Sequence, residues 1–280
     1  MNGAVIFGLL SALVWGAGDF CGGLATRRAR PFSVVLVAEV SGAILLLLAA
    51  LAWRQPLPDL PSIGWSCAAG VAGAIGLVAL YSALAGGHMA IVAPTSAVIA
   101  ALVPIIASTL LEGAPSPTQI LGFVVALVAV WLLSSAGERT GERTRSIREL
   151  RLALLAGLGF GFYFVLIDRA DPLSGFWNLT FARSFASVVL AALMLAIRHP
   201  LLPPRDVLPL NGLNGTLDAG GNMFFVLAAQ SGRLDVASVL ASLYPGTTVL
   251  LAWLVLGERL SRPQAFGVGA ALLAIILIVL

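Results

Sequence analysis

Two carboxylates stand where a carboxylate is costly. Asp19 is the only formally charged residue between Gly3 and Ala25, and Asp218 lies in a later apolar run. An ionisable side chain in a membrane span costs roughly 3 kcal/mol even on gentle insertion scales, so it marks function more often than packing. Residues three and four apart share a face of a helix. Ser11, Trp15, Asp19, Gly22 and Thr26 therefore form one stripe, and Asn211, Asn214, Asp218 and Asn222 form another. Unsatisfied amides in hydrocarbon cost several kcal/mol each, so both stripes must face protein or water. The chemistry open to them is proton uptake, cation binding or contact with a polar substrate. The competing use, interhelical hydrogen bonding, returns only about 0.6 kcal/mol per contact.

Glu39 and Arg183 belong to the same inventory. Arg183 has Thr180, Ser184 and Ser187 on its flank, and it needs either a carboxylate partner or an anionic ligand group. An ion pair with Glu39 or Asp218 that fixes packing is as strong a reading as a substrate contact. Pro94, Pro104 and Pro245 each remove a backbone donor inside an apolar run and predict kinks or unwound turns of the sort that line substrate sites. Ser238 and Ser242 share a face with Pro245. Gly70, Gly73 and Gly76 read as a packing face. Tyr81, His88 and Gln230 read as residues near helix ends, and Cys21 and Cys67 as packing residues without ligand or disulfide spacing.

The elements that must position these groups follow from composition. Hydrophobic residues make up 59% of 280 residues and charged ones 10%, with a mean hydropathy of +1.00. A soluble domain carries about 25% charged residues, and a helix crosses the ~30 Å of hydrocarbon in about 20 residues. The expectation is an all-α membrane protein with ten transmembrane helices: 3–25, 32–53, 63–86, 89–111, 117–136, 151–168, 174–197, 208–230, 234–256 and 263–280. The first run lacks the basic region and cleavage site of a signal peptide and is expected to remain. All sixteen basic residues are Arg, a composition typical of a GC-rich bacterium. Loops after odd-numbered spans hold Arg27, Arg28, Arg30, Arg139, Arg143, Arg145, Arg148, Arg151, Arg198, Arg205, Arg259 and Arg262. The opposite loops hold Arg54, Arg169 and Arg233. By the positive-inside rule the first set is cytoplasmic and both termini lie outside.

A charged linker over 138–150 divides the chain into a first repeat, 1–137, and a second, 151–280, alike at an offset near 145 residues. Leu111-Glu112-Gly113 before Pro117 answers Gly257-Glu258-Arg259 before Pro263, Gly122 answers Gly267, and Trp15-Gly16 answers Phe160-Gly161. Five helices per half is an odd number, so the halves enter the membrane in opposite directions. Such inverted repeats are the architecture of alternating-access carriers, with the site at their interface. Asp19 and Asp218 have no acidic counterpart; Phe164 and Gly73 stand at the equivalent positions.

These features resemble the drug/metabolite transporter superfamily, in particular its ten-helix EamA-type members. The marks are Trp15-Gly16 midway along the first helix, the turn Gly257-Glu258-Arg259-Leu260 after a kinked helix, and Gly267 in the closing helix. The run Asp19 to Arg28 looks like a subgroup pattern. The resemblance covers the whole chain through both repeats. It implies a secondary carrier of amino acids, metabolites or toxic compounds, often outward, without a bound cofactor. Two departures bear on the symmetry of the site: Leu-Glu-Gly replaces Leu-Gly-Glu in the first half, and Ile99 stands where the second half approaches Pro245. The resemblance also implies cytoplasmic termini, against the arginine count.

The leading expectation is a proton-coupled or exchange carrier in the inner membrane of a bacterial cell, moving a small polar or zwitterionic metabolite. Trp15, Arg183, Asn214, Asp218, Asn222 and Ser242 are the candidate substrate ligands. Asp19, Glu39, Pro94 and Pro245 are the candidates for coupling or gating. Phe162, Tyr163, Phe224 and Phe225, with Trp15, are the rings expected to line the apolar part. The expected partners are the substrate and the bilayer, with the chain a monomer or homodimer; no metal, cofactor or nucleic acid is expected. A rival from another class is an intramembrane aspartyl protease, since Gly16-Ala17-Gly18-Asp19 has the Gly-x-Gly-Asp form and Asp218 supplies a second acid. A third reading is a lipid-carrier flippase.

Overall fold

A computed structural model describes residues 2–85, 89–134, 147–257 and 261–279. Among these the chain is all-helical, with eleven α-helices: α1 (Asn2–Thr26), α2 (Pro31–Ala52), α3 (Leu60–Ala85), α4 (Met89–Glu112), α5 (Pro117–Ser134), α6 (Ile147–Ile167), α7 (Gly175–Ala196), α8 (Leu208–Gln230), α9 (Leu234–Ala241), α10 (Tyr244–Leu256) and α11 (Arg262–Val279). The charged linker as far as residue 146, His88, and Glu258 to Leu260 lie outside the described residues. Helix α6 begins at Ile147, inside the stretch expected to be linker.

Six runs among the described residues are long and apolar enough to cross a membrane, including Gly3–Thr26, Pro31–Ala52 and Leu234–Leu256, and three shorter apolar helices join them. Helix α8 is in neither group, because its asparagines, glycines and Asp218 dilute its apolar character. It can be polar because it is interior: Asn211, Asn214 and Asn222 are all buried. The outward faces are apolar instead. Ile44, Leu48, Leu195, Leu254 and Phe266 are each more than half exposed, as expected of side chains that meet lipid.

The expected ninth span, 234–256, is two helices. Helix α9 ends at Ala241 and α10 starts at Tyr244, with Ser242 capping the first and Leu243 the second. Pro245 stands in the first turn of α10, where its missing N–H has no intrahelical partner to lose. Pro94 and Pro104 do not break α4, which runs unbroken from Met89 to Glu112.

The main helix pairings are kept when the halves are exchanged. Helix α1 packs on α8 as α6 packs on α3, α2 packs on α8 as α7 packs on α3, and α2 meets α7 while α5 meets α11. The glycines of the repeated motif explain a further equivalent pair, α1 on α10 and α6 on α4. A Cβ on Gly16 would collide with the Tyr244 carbonyl and with Thr247, and one on Gly161 would come within 2.6 Å of the Val103 Cβ. Each glycine thus admits a neighbouring helix at backbone distance. The Thr248 hydroxyl uses that proximity to donate to the Gly16 carbonyl at 3.0 Å.

Candidate functional site

Arg183 is the anchor of the interior. It is 3% exposed, and its terminal nitrogens reach two carboxylates. Nη1 lies 3.5 Å from Glu39 Oε2, and Nη2 donates to Asp218 Oδ2. The two pairings that the sequence offered as alternatives are present together, and they tie α2, α7 and α8 at one level. Small residues permit this convergence. A Cβ on Gly42 would sit 2.7 Å from Arg183 Nη1 and 2.9 Å from the Gly215 carbonyl, and one on Gly70 would overlap the Ala182 backbone. The stripe of α1 faces α8 throughout. Ser11 donates to the Gly221 carbonyl at 2.9 Å, Trp15 Nε1 donates to the Asp218 carbonyl at 3.2 Å, and Gly22 receives the Tyr81 hydroxyl.

A cavity opens beside the Arg183 cluster. It offers about 70 Å³ to the centres of water molecules, room for several waters or a compact organic group. Trp15, Asp19, Glu39, Arg183, Asp218, Asn222 and Ser242 all line it. Asp19 shares the same space as Asp218. An apolar set stands opposite: Gly73 and Leu77 from α3, Phe160 and Phe164 from α6. At the offset of 145 these are the counterparts of Asp218, Asn222, Trp15 and Asp19. Equivalent positions of the two halves therefore meet across one cavity, one set polar and the other apolar.

Other candidates fall elsewhere. Asn214 is 1% exposed and off the cavity wall; its Oδ1 accepts from the Tyr81 hydroxyl at 3.4 Å. Tyr81 is thus a buried partner of α8 and not an interfacial residue. Pro245 is buried beside the α9–α10 break, while the side chain of Pro94 lies outside the described residues. Phe162, expected among the lining rings, is 52% exposed on the outer face. Ser184 is exposed, and Thr180 donates to its own helix at the Phe176 carbonyl. Phe224 stacks on Phe7 away from the cavity. Phe225 is fully buried, and its ring lies 4.4 Å from that of Phe164 and 5.8 Å from that of Trp15.

Three features gave no sequence signal of their own. Tyr244 lines the cavity beside Tyr163, which was among the expected rings, but a single hydroxyl on an apolar helix has no periodicity to betray it. Arg233 holds the buried Asp235 at 2.8 Å and donates to the Gly113 carbonyl at 2.8 Å, fastening the start of α9 to the α4–α5 turn. A second recess, lined in part by Asp168, Pro172, Asn178, Phe225 and Gln230, lies at the end of the bundle bearing the α6–α7 connection.

Comparison with known proteins agrees with this architecture. A solved crystal structure superposes over 99% of this chain and 96% of its own with a TM-score of 0.76, at 18% identity, which speaks to the fold. An uncharacterized protein of Methanocaldococcus jannaschii is 28% identical over 135 residues, covering 48% of this chain and 98% of that protein. The match thus takes in nearly all of that protein and a length equal to about half of this chain. The sequence pattern of the EamA-like transporter family matches twice, over residues 2–135 and 148–280. With both matches falling on the two halves that close around the cavity, the chain belongs to the EamA-like transporter family of membrane transporters.

Proposed function

We propose that the protein is a secondary active transporter that exports a small polar or zwitterionic metabolite, of amino-acid or drug-like size, by alternating access with proton coupling. The observation that supports this best is the position of the cavity: it lies between the halves, with equivalent residues facing across it and the α9–α10 break opening onto it. A site on such an axis is reached from either side when one half rocks against the other. In this reading the chain crosses the inner membrane of a bacterial cell ten times, as inverted repeats 1–137 and 151–280 joined by the linker 138–150. Both termini lie outside, and the chain works as a monomer or homodimer.

Trp15, Asp218, Asn222 and Ser242 hold the substrate, with Arg183 fixing Asp218 and Asn214 supporting α8 through Tyr81. Asp19 and Glu39 couple the cycle to protons, and the helix break at Pro245, with Pro94 in its counterpart α4, provides the moving parts. Asp218 accepts from Arg183, which suits it to this scaffold better than to a carboxyl dyad that shares a proton to activate water. The test is uptake into inverted vesicles under an imposed pH gradient. Asp19→Asn and Glu39→Gln are expected to remove the pH dependence while the protein still inserts. Wild-type pH dependence in both variants would sink the coupling assignment.

A further inference from the structure

We propose that the cavity selects an organic cation with an apolar body, its ammonium seated at Asp19. The inference rests on the transport reading and narrows its substrate class by charge. Among the described residues the charged groups on the cavity wall are Asp19 from α1, Glu39 from α2, Arg183 from α7 and Asp218 from α8. The formal sum is three negative charges against one positive. Helices α6 and α10 add the hydroxyls of Tyr163 and Tyr244, and α3 and α4 add only Gly70, Gly73, Leu77 and Ala100.

The charge of Arg183 is already outnumbered by Glu39 and Asp218, which take its two terminal nitrogens, and only its Nε is left without a hydrogen-bond partner among the described residues. Asp19 is the opposite case. Among the described residues its carboxyl makes no ion pair and no hydrogen bond. A second, independent observation also points to an absent ligand. Tyr163 is 7% exposed and faces the cavity, yet its hydroxyl has no hydrogen-bond partner among the described residues. A hydroxyl in that position offers a bound molecule both a donor and an acceptor.

The walls supply the rest of the recognition. Helix α1 presents Asp19 and Trp15, and α6 presents Phe160 and Phe164, with the Trp15 and Phe164 rings stacked at 5.5 Å. Aromatic faces attract ammonium groups most strongly where water is excluded, and the α3 and α6 side chains receive hydrocarbon. An anion in the same place would meet uncompensated carboxylates, and like-charge juxtaposition of that kind excludes a ligand.

The test uses purified full-length protein in detergent and three ligands that share a phenyl ring and a short chain: phenethylamine, phenylalanine and 3-phenylpropionate. Their charges at pH 7 are positive, zwitterionic and negative. Titration calorimetry is expected to rank them in that order, with phenethylamine at least tenfold tighter than 3-phenylpropionate. Asp19→Asn is expected to weaken phenethylamine at least tenfold and Asp19→Glu to restore part of it, with the ligand-free melting temperature of Asp19→Asn close to wild type. Tighter binding of the anion, binding of none of the three, or phenethylamine binding indifferent to Asp19→Asn would each overturn the proposal. Counterflow in proteoliposomes separates the two claims. A cation that binds through Asp19 but is not carried upholds the site's charge selectivity and defeats the transport reading.

Discussion

Arg183 illustrates how a buried charge is made tolerable at the scale of one residue. Its side chain is 4% exposed and that of Glu39 6%, so neither can be relieved by water. Removing one partner of such a pair costs about 3–5 kcal/mol, whereas replacing the whole set by apolar residues of similar volume is often neutral. Arg183→Met alone is therefore expected to lower the melting temperature sharply. The triple variant Arg183→Met, Glu39→Leu, Asp218→Leu is expected to recover most of that loss without recovering transport. Thermal unfolding and vesicle uptake of the two variants check both halves of the statement. The need for a partner was legible in the sequence, because an arginine in an apolar run admits few alternatives. The choice between Phe162 and Tyr163 was not legible. They are neighbours on a helix whose two faces are both apolar, so the side that turns inward is decided by α3 and α4, through Gly73 and Val103 against Tyr163 and Gly161.

Among the elements, glycines separate into those that admit a neighbour and those that do not, and the sequence does not tell them apart. A Cβ on Gly16 meets the Tyr244 carbonyl, while one on Gly64 or Gly212 meets nothing within 4 Å. Gly→Ala in an open helix position stabilises by up to about 1 kcal/mol. Gly64→Ala and Gly212→Ala are thus expected to raise the melting temperature slightly and Gly16→Ala to lower it, in parallel thermal scans. The unequal turns Leu-Glu-Gly and Gly-Glu-Arg also find a reason here. Gly113 and Gly257 have φ of 94° and 67°, the left-handed conformation that ends a helix at least cost in glycine. What the halves share is the terminator, not the order of its neighbours. Helix α3 shows the polar counterpart at its start, where Asp59 accepts from the Ser62 amide at 2.9 Å. The Ser62 hydroxyl and then its amide hold the Asp59 carboxyl below the usual aspartate range. A lowered folded-state pKa gives a contribution that is present above the ordinary aspartate value and is lost as the pH falls through the folded one. The protection of the Ser62 amide, its intrinsic exchange rate over the observed rate at the same pH, is expected to fall on that acid side and to be low at every pH in Asp59→Ala.

For the whole molecule, the halves meet on an axis that passes through the cavity, and that axis was visible in the spacing of Trp15-Gly16 and Phe160-Gly161. The departure from symmetry was not, since Pro94, Pro104 and Pro245 look alike until packing shows that only the last interrupts its helix. Transport by alternating access requires the cavity to be closed on one side at a time, and the stacked rings of Trp15, Phe164 and Phe225 are placed to do this. Trp15 and Phe164 line the central cavity, Phe225 lines the recess near Asp168 and Gln230, and the three rings stack at centroid separations of 4.4–5.8 Å. Phe225 forms the recess side of the barrier between the two hollows, and truncating it thins that barrier. In a background with Cys21→Ser and Cys67→Ser, Asn222→Cys places a thiol on the wall of the central cavity. Membrane-impermeant maleimide added on the side of the α6–α7 connection is expected to label it slowly, and Phe225→Ala to raise that rate at least tenfold. The rate from the opposite side is expected to stay the same, because Phe225 borders only the one recess. An equal rate with and without Phe225 would mean that helix movement, and not this stack, holds the cavity shut.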